Sequence, residues 1–205
     1  METWASLFER ATAVAVDAAD VTAALAERRD REVEASDSDD SADAPAASER
    51  PEPSPARVVA DADVLAADLL VGGPAREALD GPRAHSWVTL VASDALLDDA
   101  EAVVATLADS TLAADWRERI EAWRESVAQP RGDHPALASA YRGGAMHVLS
   151  LDDRLTAAGT AAGLNDRFPV SVREPQAFAA LFDAERLYPE VGGGEYPGPD
   201  RDPRE

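Results

Sequence analysis

Residues Val58–Leu65 read V-V-A-D-A-D-V-L, a short apolar run that ends in two carboxylates, Asp61 and Asp63. The run is long enough for a buried strand but too short for a helix of its own. A buried charge costs several kcal/mol unless it is paired or bound to a cation, so acids at this position indicate a function rather than a contribution to stability. Ligands of open α/β sheets bind just beyond the carboxyl ends of the strands, and further acids that converge on Asp61 would complete such a site.

The charge of the chain is strongly negative. Its 205 residues include 40 acids and 19 basic residues, all of them Arg, which gives a formal charge of −21. Self-repulsion on this scale destabilises a compact chain at low salt, whereas at about 1 M salt the Debye length is only ~3 Å and the repulsion is screened. The composition therefore resembles that of proteins from extreme halophiles. The acids occur in every segment, which argues against an acidic mimic of nucleic acid and against long-range attraction of RNA or DNA.

The composition also limits the compartment and the kinds of site. The chain has no Cys, which excludes disulfides and thiolate metal sites. No apolar run approaches the roughly 20 residues of a membrane span. The N-terminus lacks the basic and apolar regions of a signal peptide. We therefore expect a cytoplasmic protein without a membrane partner.

The chain divides into four regions by composition. Residues 1–29 predict a helical segment, because Trp4, Leu7 and Phe8 recur at helical spacing, and Asp17 or Asp20 could open a second helix of a hairpin. This segment either packs on the following domain or serves self-association or a protein partner. Residues 30–56 are rich in Asp, Glu, Ser, Ala and Pro and predict a disordered acidic linker. Residues 57–187 predict the folded domain, and residues 188–205 a flexible tail.

Strands and helices alternate through the predicted domain. Trp87–Ala92, Met146–Leu149 and Phe168–Val172 are further strand candidates, and helices are predicted over Leu112–Val127, Leu155–Gly163 and Pro175–Leu187. This order predicts an α/β fold with a central parallel sheet between two layers of helices, a three-layer α/β/α arrangement. Asp61 and Asp152 directly follow strands and Asp133 opens a helix, so all three lie where strand ends and helix starts gather.

A fourth acid is expected from the helix that Ser93 caps. At about 100° per residue, Asp94 and Asp98 point away from the apolar face of this helix. Asp99 and Glu101 lie on opposite rims of that face. Helix geometry alone leaves both of them as candidates.

Five motifs follow one another along the domain: D-A-D-V-L at 61–65, S-D-A-L-L-D-D at 93–99, D-H-P-A-L-A-S-A-Y-R-G-G-A at 133–145, V-L-S-L-D-D-R-L at 148–155 and V-R-E-P-Q-A-F at 172–178. This succession resembles the PIN domain, the nuclease fold of many toxin ribonucleases and RNA-processing factors. The most specific part is a helix opened by Asp and closed by Gly-Gly, followed by a strand and S-x-D-x-x-L. The resemblance covers about residues 57–187 and leaves out the helical segment and the linker.

The resemblance implies a metal site and its residues. Asp99 stands where the family usually has Glu, and Asp63 where it often has Asn. Clustered carboxylates repel one another, and Mg²⁺ or Mn²⁺, which prefer oxygen ligands, relieves that repulsion and activates water for phosphodiester hydrolysis. The implied metal and catalytic set is Asp61, Asp99, Asp133 and Asp152. The implied supporting residues are Asp63, Ser150 and Asp153.

Three functions are compatible with these motifs. The first is a metal-dependent endoribonuclease of the PIN type, with RNA as its partner. The second is a catalytically weak or inactive PIN-like module that binds RNA or a partner. The third is a flavodoxin- or receiver-like domain, but such a domain would use a phosphate-binding loop or a downstream Lys, and the chain has neither.

Overall fold

The computed structural model of the protein describes residues 2–36, 51–130, 132–157 and 169–205. The five strands are β1 Ser54–Ala60, β2 Thr89–Ser93, β3 Arg124–Val127, β4 Ala145–Leu149 and β5 Ser171–Arg173. The helices are α1 Trp4–Ala11, α2 Ala18–Ser36, α3 Ala62–Leu70, α4 Gly73–Arg83, α5 Asp94–Leu107, α6 Ser110–Glu121, α7 Pro135–Gly143, α8 Asp153–Thr156, α9 Pro175–Leu181 and α10 Ala184–Val191. No helix within the described ranges is both long enough and apolar enough to cross a membrane.

The strands form one parallel sheet in the order β3-β2-β1-β4-β5. In its central strand the consecutive residues Val58, Val59 and Ala60 are all buried. Because successive side chains of a strand point to opposite faces, both faces of the sheet are covered by other elements. The predicted α/β fold with a parallel central sheet is confirmed, and the flanking helices are consistent with the predicted three layers.

The strand order places a crevice at the carboxyl end of β1. The chain runs from β1 outward to β2 and β3 on one side, and then crosses over to β4 and β5 on the other. Such a reversal opens a ligand-binding crevice between the two strands at which the direction changes. Here these strands are β1 and β4, and the Asp61 backbone N–H donates to the Leu149 carbonyl across them at 2.8 Å. The residues that follow β1 and β4 therefore meet at the crevice.

The structure differs from the predicted elements at two helices. The predicted helix Leu112–Val127 ends at Glu121, and Arg124–Val127 forms the edge strand β3 beside β2. The spacing of Trp123 and Val127 suits a helix, but pairing with an exposed sheet edge overrides so short a local signal. The predicted helix Pro175–Leu187 is two helices, α9 and α10. Of the predicted helix Leu155–Gly163 the structure shows α8, and residues 158–163 lie outside the described ranges.

The N-terminal segment forms two helices, and each of them packs on the domain. Trp4, Leu7, Phe8 and Ala11 of α1 are buried, and α1 contacts α3 and α6. The second helix, α2, packs against α3 and α5. It continues to Ser36 and β1 begins at Ser54, so the predicted linker 30–56 overlaps ordered elements at both ends. Residues 37–50 of that linker lie outside the described ranges.

The C-terminal residues, for which a flexible tail over 188–205 is predicted, contact the body of the protein. The Tyr196 hydroxyl lies 2.5 Å from Nε2 of His85. The backbone N–H of Ser86 donates to the Asp200 carboxylate at 2.7 Å. The Arg204 carbonyl accepts a hydrogen bond of 2.9 Å from the N–H of Ala5. The tail therefore ties the N-terminal helix to the region between α4 and β2.

Candidate active site

Two carboxylates are buried where β1 ends. Asp61 and Asp63 are 0% and 1% exposed, and Asp61 caps α3 by accepting from the N–H of Ala62 at 2.8 Å. Asp63 accepts from the N–H groups of Val64 at 2.6 Å and Leu151 at 3.1 Å. Burial and the charge of Asp61 raise the pKa of Asp63 well above its ordinary value, although the two N–H groups oppose this shift. Burial beside a second carboxylate therefore disfavours the charged form of Asp63.

Ser150 connects the carboxylates to the end of β4. Its buried hydroxyl lies 3.2 Å from Oδ2 of Asp61 and 3.4 Å from Oδ2 of Asp63. The same oxygen accepts a hydrogen bond of 3.0 Å from the N–H of Asp152. Since a hydroxyl has one proton and two lone pairs, it donates to one carboxylate at a time while it accepts from Asp152. Ser150 thus links the Asp61 and Asp63 carboxylates to the backbone of Asp152.

The structure decides which acid of α5 faces the crevice. Asp99 is 2% exposed, whereas Asp98 and Glu101 bind Arg117 at 2.7 and 3.3 Å. Of the two alternatives that helix geometry left open, Asp99 points to the predicted cluster and Glu101 does not.

An Arg side chain from α2, which the sequence patterns do not predict, lies between Asp61 at the end of β1 and Asp99 on α5. The guanidinium of Arg29 donates through Nη2 to Asp61 at 2.8 Å and through Nε to Asp99 at 3.0 Å. Arg28 donates to the second oxygen of Asp99 at 2.9 Å. Burial by itself would lower the pKa of Arg29, but the charges of Asp61 and Asp99 and the hydrogen bonds to them raise it overall. Arg29 therefore stays charged and forms an ion pair with each of the two acids.

His134 forms the third contact of the same guanidinium. Nη1 of Arg29 lies 3.0 Å from Nε2 of His134. Because a guanidinium only donates, Nε2 accepts and the ring proton is on Nδ1. Burial lowers the pKa of His134; the charge of Asp61 opposes this shift and that of Arg29 adds to it. The imidazole is therefore neutral and directs a lone pair into the crevice.

The remaining predicted residues lie further from this cation. Asp133 is exposed, and its backbone carbonyl accepts from Gln129 at 2.8 Å, so the structure does not bring its carboxylate to Asp61. Asp152 pairs with Arg154 at 2.8 Å, and this hydrogen bond is the main cause of its lowered pKa. Asp153 is exposed in the first turn of α8.

The helix start explains why His134 replaces Asp133 at the crevice. The Asp before a helix was expected to cap it, but His134 has the extended N-cap conformation and α7 begins at Pro135. The shift by one residue directs the His134 side chain inward, with Nε2 3.8 Å from Oδ2 of Asp61.

The carboxylate oxygens and the imidazole nitrogen at the crevice are groups that can bind a divalent cation, and a guanidinium lies among them. Within residues 2–36, 51–130, 132–157 and 169–205, no three His, Asp or Glu side chains are arranged to hold a metal ion. Asp61 and Asp99 each bind Arg29, and Asp152 binds Arg154. Carboxylate oxygens are nevertheless the ligands that Mg²⁺ and Mn²⁺ prefer.

Arg28 and Arg29 carry a weak signal in the sequence. They are the only adjacent basic residues in a chain that has 19 bases and 40 acids. This scarcity marks the pair as unusual, but the spacing along the chain does not show which acids it meets.

Comparison with known proteins gives one match. No curated protein and no solved structure matches the chain. Residues 52–204 match a family of unknown function, DUF7384. The matched range includes all five strands, His134 and the acids described above, whereas α1 and α2 precede it. Because the match spans most of its length, the chain belongs to the family of unknown function DUF7384.

Proposed function

We propose that the protein is a metal-dependent endoribonuclease of the PIN type, in which Asp61 and Asp99 hold Mg²⁺ or Mn²⁺. One observation carries the proposal: these two carboxylates, from different elements, are almost completely buried and meet around a single cation at the crevice of a parallel sheet. Such carboxylates require a positive charge, since an uncompensated buried charge is strongly destabilising. A divalent ion would supply that positive charge and could also activate a substrate or a water molecule.

A bound divalent ion would polarise a phosphate and lower the pKa of a water molecule. Three residues of the protein would position the groups around such an ion. Ser150 fixes the Asp61 carboxylate and, through the N–H of Asp152, the start of α8. Asp152, whose side chain is 16% exposed, lies closer to solvent and can reach a substrate or a water molecule after it leaves Arg154. His134 offers a neutral nitrogen lone pair toward the same space.

The site supports hydrolysis of a phosphodiester, and the assignment of RNA rests on the resemblance to PIN domains. At a formal charge of −21 the protein repels nucleic acid at low salt. Molar salt screens that repulsion within a few ångströms, so binding would depend on short-range contacts at the crevice. Activity is therefore expected at high salt, where most RNA-binding proteins release their ligand.

The test compares two neighbouring acids of α5. Mn²⁺-dependent cleavage of a labelled single-stranded RNA is measured in molar KCl for the parent, Asp99→Ala and Asp98→Ala. We expect Asp99→Ala to lose roughly 100-fold or more, because a metal supplies several kcal/mol of transition-state stabilisation. Asp98→Ala removes the same charge from the Arg117 side of the helix and should leave cleavage unchanged. Equal rates for all three proteins, or cleavage that does not require a metal, would contradict the proposal.

The second candidate is a non-catalytic PIN-like module that binds RNA or a protein. The observation that favours it is the Arg29 guanidinium, which neutralises Asp61 and Asp99 without any metal. For such a module, neither the parent nor Arg29→Gln should bind Mn²⁺, although both remain folded.

A further inference from the structure

We propose that α2 is an intramolecular inhibitor of this site, whose Arg29 must leave before a divalent cation enters. This inference rests on the proposed function and adds its regulation. It is supported by how α2 is held, by what Arg29 contacts and by where α2 lies relative to the family match.

Two successive stretches of α2 are held to the domain by different forces. Val21 and Leu25 in its first half are buried, at 0% and 4% exposure. From Ala26 to Glu32 each side chain is half-buried or exposed, and Arg28 and Arg29 reach the domain through their ion pairs. The stretch from Ala26 to Glu32 is therefore held by charge, and it can leave the domain while Leu25 stays in place.

The preceding helix shows the contrast. α1 buries Trp4, Leu7, Phe8 and Ala11. Separating it from the domain would expose large apolar surfaces to water, at roughly 25 cal/mol for each Å². We expect α1 to remain docked and to anchor α2 near its site.

Arg29 excludes another cation from the crevice. Its Nη2, Nε and Nη1 groups point to Asp61, Asp99 and His134 respectively, and its side chain is only 21% exposed. The lone pairs that it engages are those that an incoming ion would need. A guanidinium and a divalent cation cannot share them, because they occupy the same space and carry charges of the same sign.

The inhibitor and its target belong to different parts of the chain. The family match begins at residue 52, so Asp61, Asp99 and His134 lie within it and Arg29 does not. A tethered group competes at an effective concentration that reaches the millimolar range, so it opposes free ions strongly without a tight intrinsic affinity. Partly buried ion pairs are also screened less than exposed ones, so this contact persists in molar salt.

The experiment measures Mn²⁺ binding by calorimetry on the full chain in molar KCl. The parent is compared with Arg29→Gln and with Arg31→Gln. Arg31 is a matched control, because it is exposed on the same helix and donates to the Glu27 carbonyl of that helix at 3.1 Å. We expect Arg29→Gln to bind Mn²⁺ roughly 10- to 100-fold more tightly than the parent, in the range of typical coupling between sites, and Arg31→Gln to match the parent.

A second measurement uses the unmodified chain, so it does not depend on how a variant folds. Saturating Mn²⁺ should speed amide hydrogen exchange in residues 26–36 of α2 and leave exchange in α1 unchanged. An equal gain in affinity for Arg29→Gln and Arg31→Gln would show a general charge effect and overturn the inhibitor.

Two further outcomes separate the inhibitor from the proposed function. In the first outcome, the parent and Arg29→Gln bind Mn²⁺ equally tightly, Asp61→Asn abolishes that binding, and hydrogen exchange in α2 does not change. This outcome would support the metal site and refute the inhibitor. If neither folded protein binds Mn²⁺, the metal-dependent function is refuted, and the inhibitor with it.

Discussion

The Arg29→Gln substitution should destabilise the protein until a divalent ion is added. Arg29 neutralises Asp61 and Asp99, whose side chains are 0% and 3% exposed. Gln keeps much of the side-chain length and hydrogen-bonding capacity but removes the charge. In the absence of metal, the two carboxylates then face each other with Arg28 as the nearest remaining cation on this helix.

The size of the effect follows from the burial. Leaving one partner of a buried ion pair uncompensated typically costs about 3–5 kcal/mol. Arg29 is about one-fifth exposed, and part of α2 can separate from the domain and admit water. We therefore expect a loss of about 2–3 kcal/mol in the free energy of unfolding. For a chain of this size, that corresponds to a fall of about 4–12 °C in Tm. Mn²⁺ at about 100 times its Kd would raise the free energy of unfolding again by about 2.7 kcal/mol.

Thermal unfolding followed by circular dichroism in molar KCl checks this prediction, first with EDTA and then with Mn²⁺. Arg31→Gln serves as the control and should change stability by no more than about 0.5 kcal/mol, as exposed sites usually do. An unchanged Tm of Arg29→Gln in EDTA would refute the reasoning, because it would show that the buried acids do not depend on this guanidinium.

Three further predictions concern the scaffold. Gly143→Ala adds a methyl group that overlaps the Val91 side chain, so it should cost about 1–3 kcal/mol in chemical denaturation, and Val91→Ala in the same chain should recover part of it. Burial lowers the pKa of His147 below its ordinary 6.5, so the unfolded chain binds more protons and stability falls as the pH drops below 6.5. His147→Gln should flatten that dependence in denaturation curves recorded at about pH 7.5 and about pH 5.5. Asp68→Ala removes the buried partner of Arg83, which then keeps only the less buried Asp80 at 3.1 Å, and should lower the free energy of unfolding by about 3 kcal/mol, which thermal denaturation can measure.

The sequence identified the crevice because its signals are local. The apolar run before Asp61 and the acids after it require only the geometry of one strand. Asp99 remained a candidate, and Asp98 did not, because the angle between successive helix positions is fixed. The structure places Asp61, Asp99 and Ser150 in one buried region. It leaves Asp133 exposed, because the start of α7 differs by one residue from the expected position.

The sequence by itself therefore determined the parallel α/β architecture, the position of the crevice and the acids that follow its strands, and it left Asp99 and Glu101 of α5 as alternatives. Only the tertiary structure decided that β3 joins the sheet, that His134 faces the crevice and that Arg28 and Arg29 neutralise its acids. Arg28 and Asp99 are 71 residues apart, and Arg29 and Asp61 are 32 apart. Helix and strand periodicity describes contacts within one element, whereas these ion pairs depend on how α2 packs on α3 and α5. Because that packing is set by apolar contacts spread over several elements, the partner of a charged side chain becomes definite only when the chain is folded.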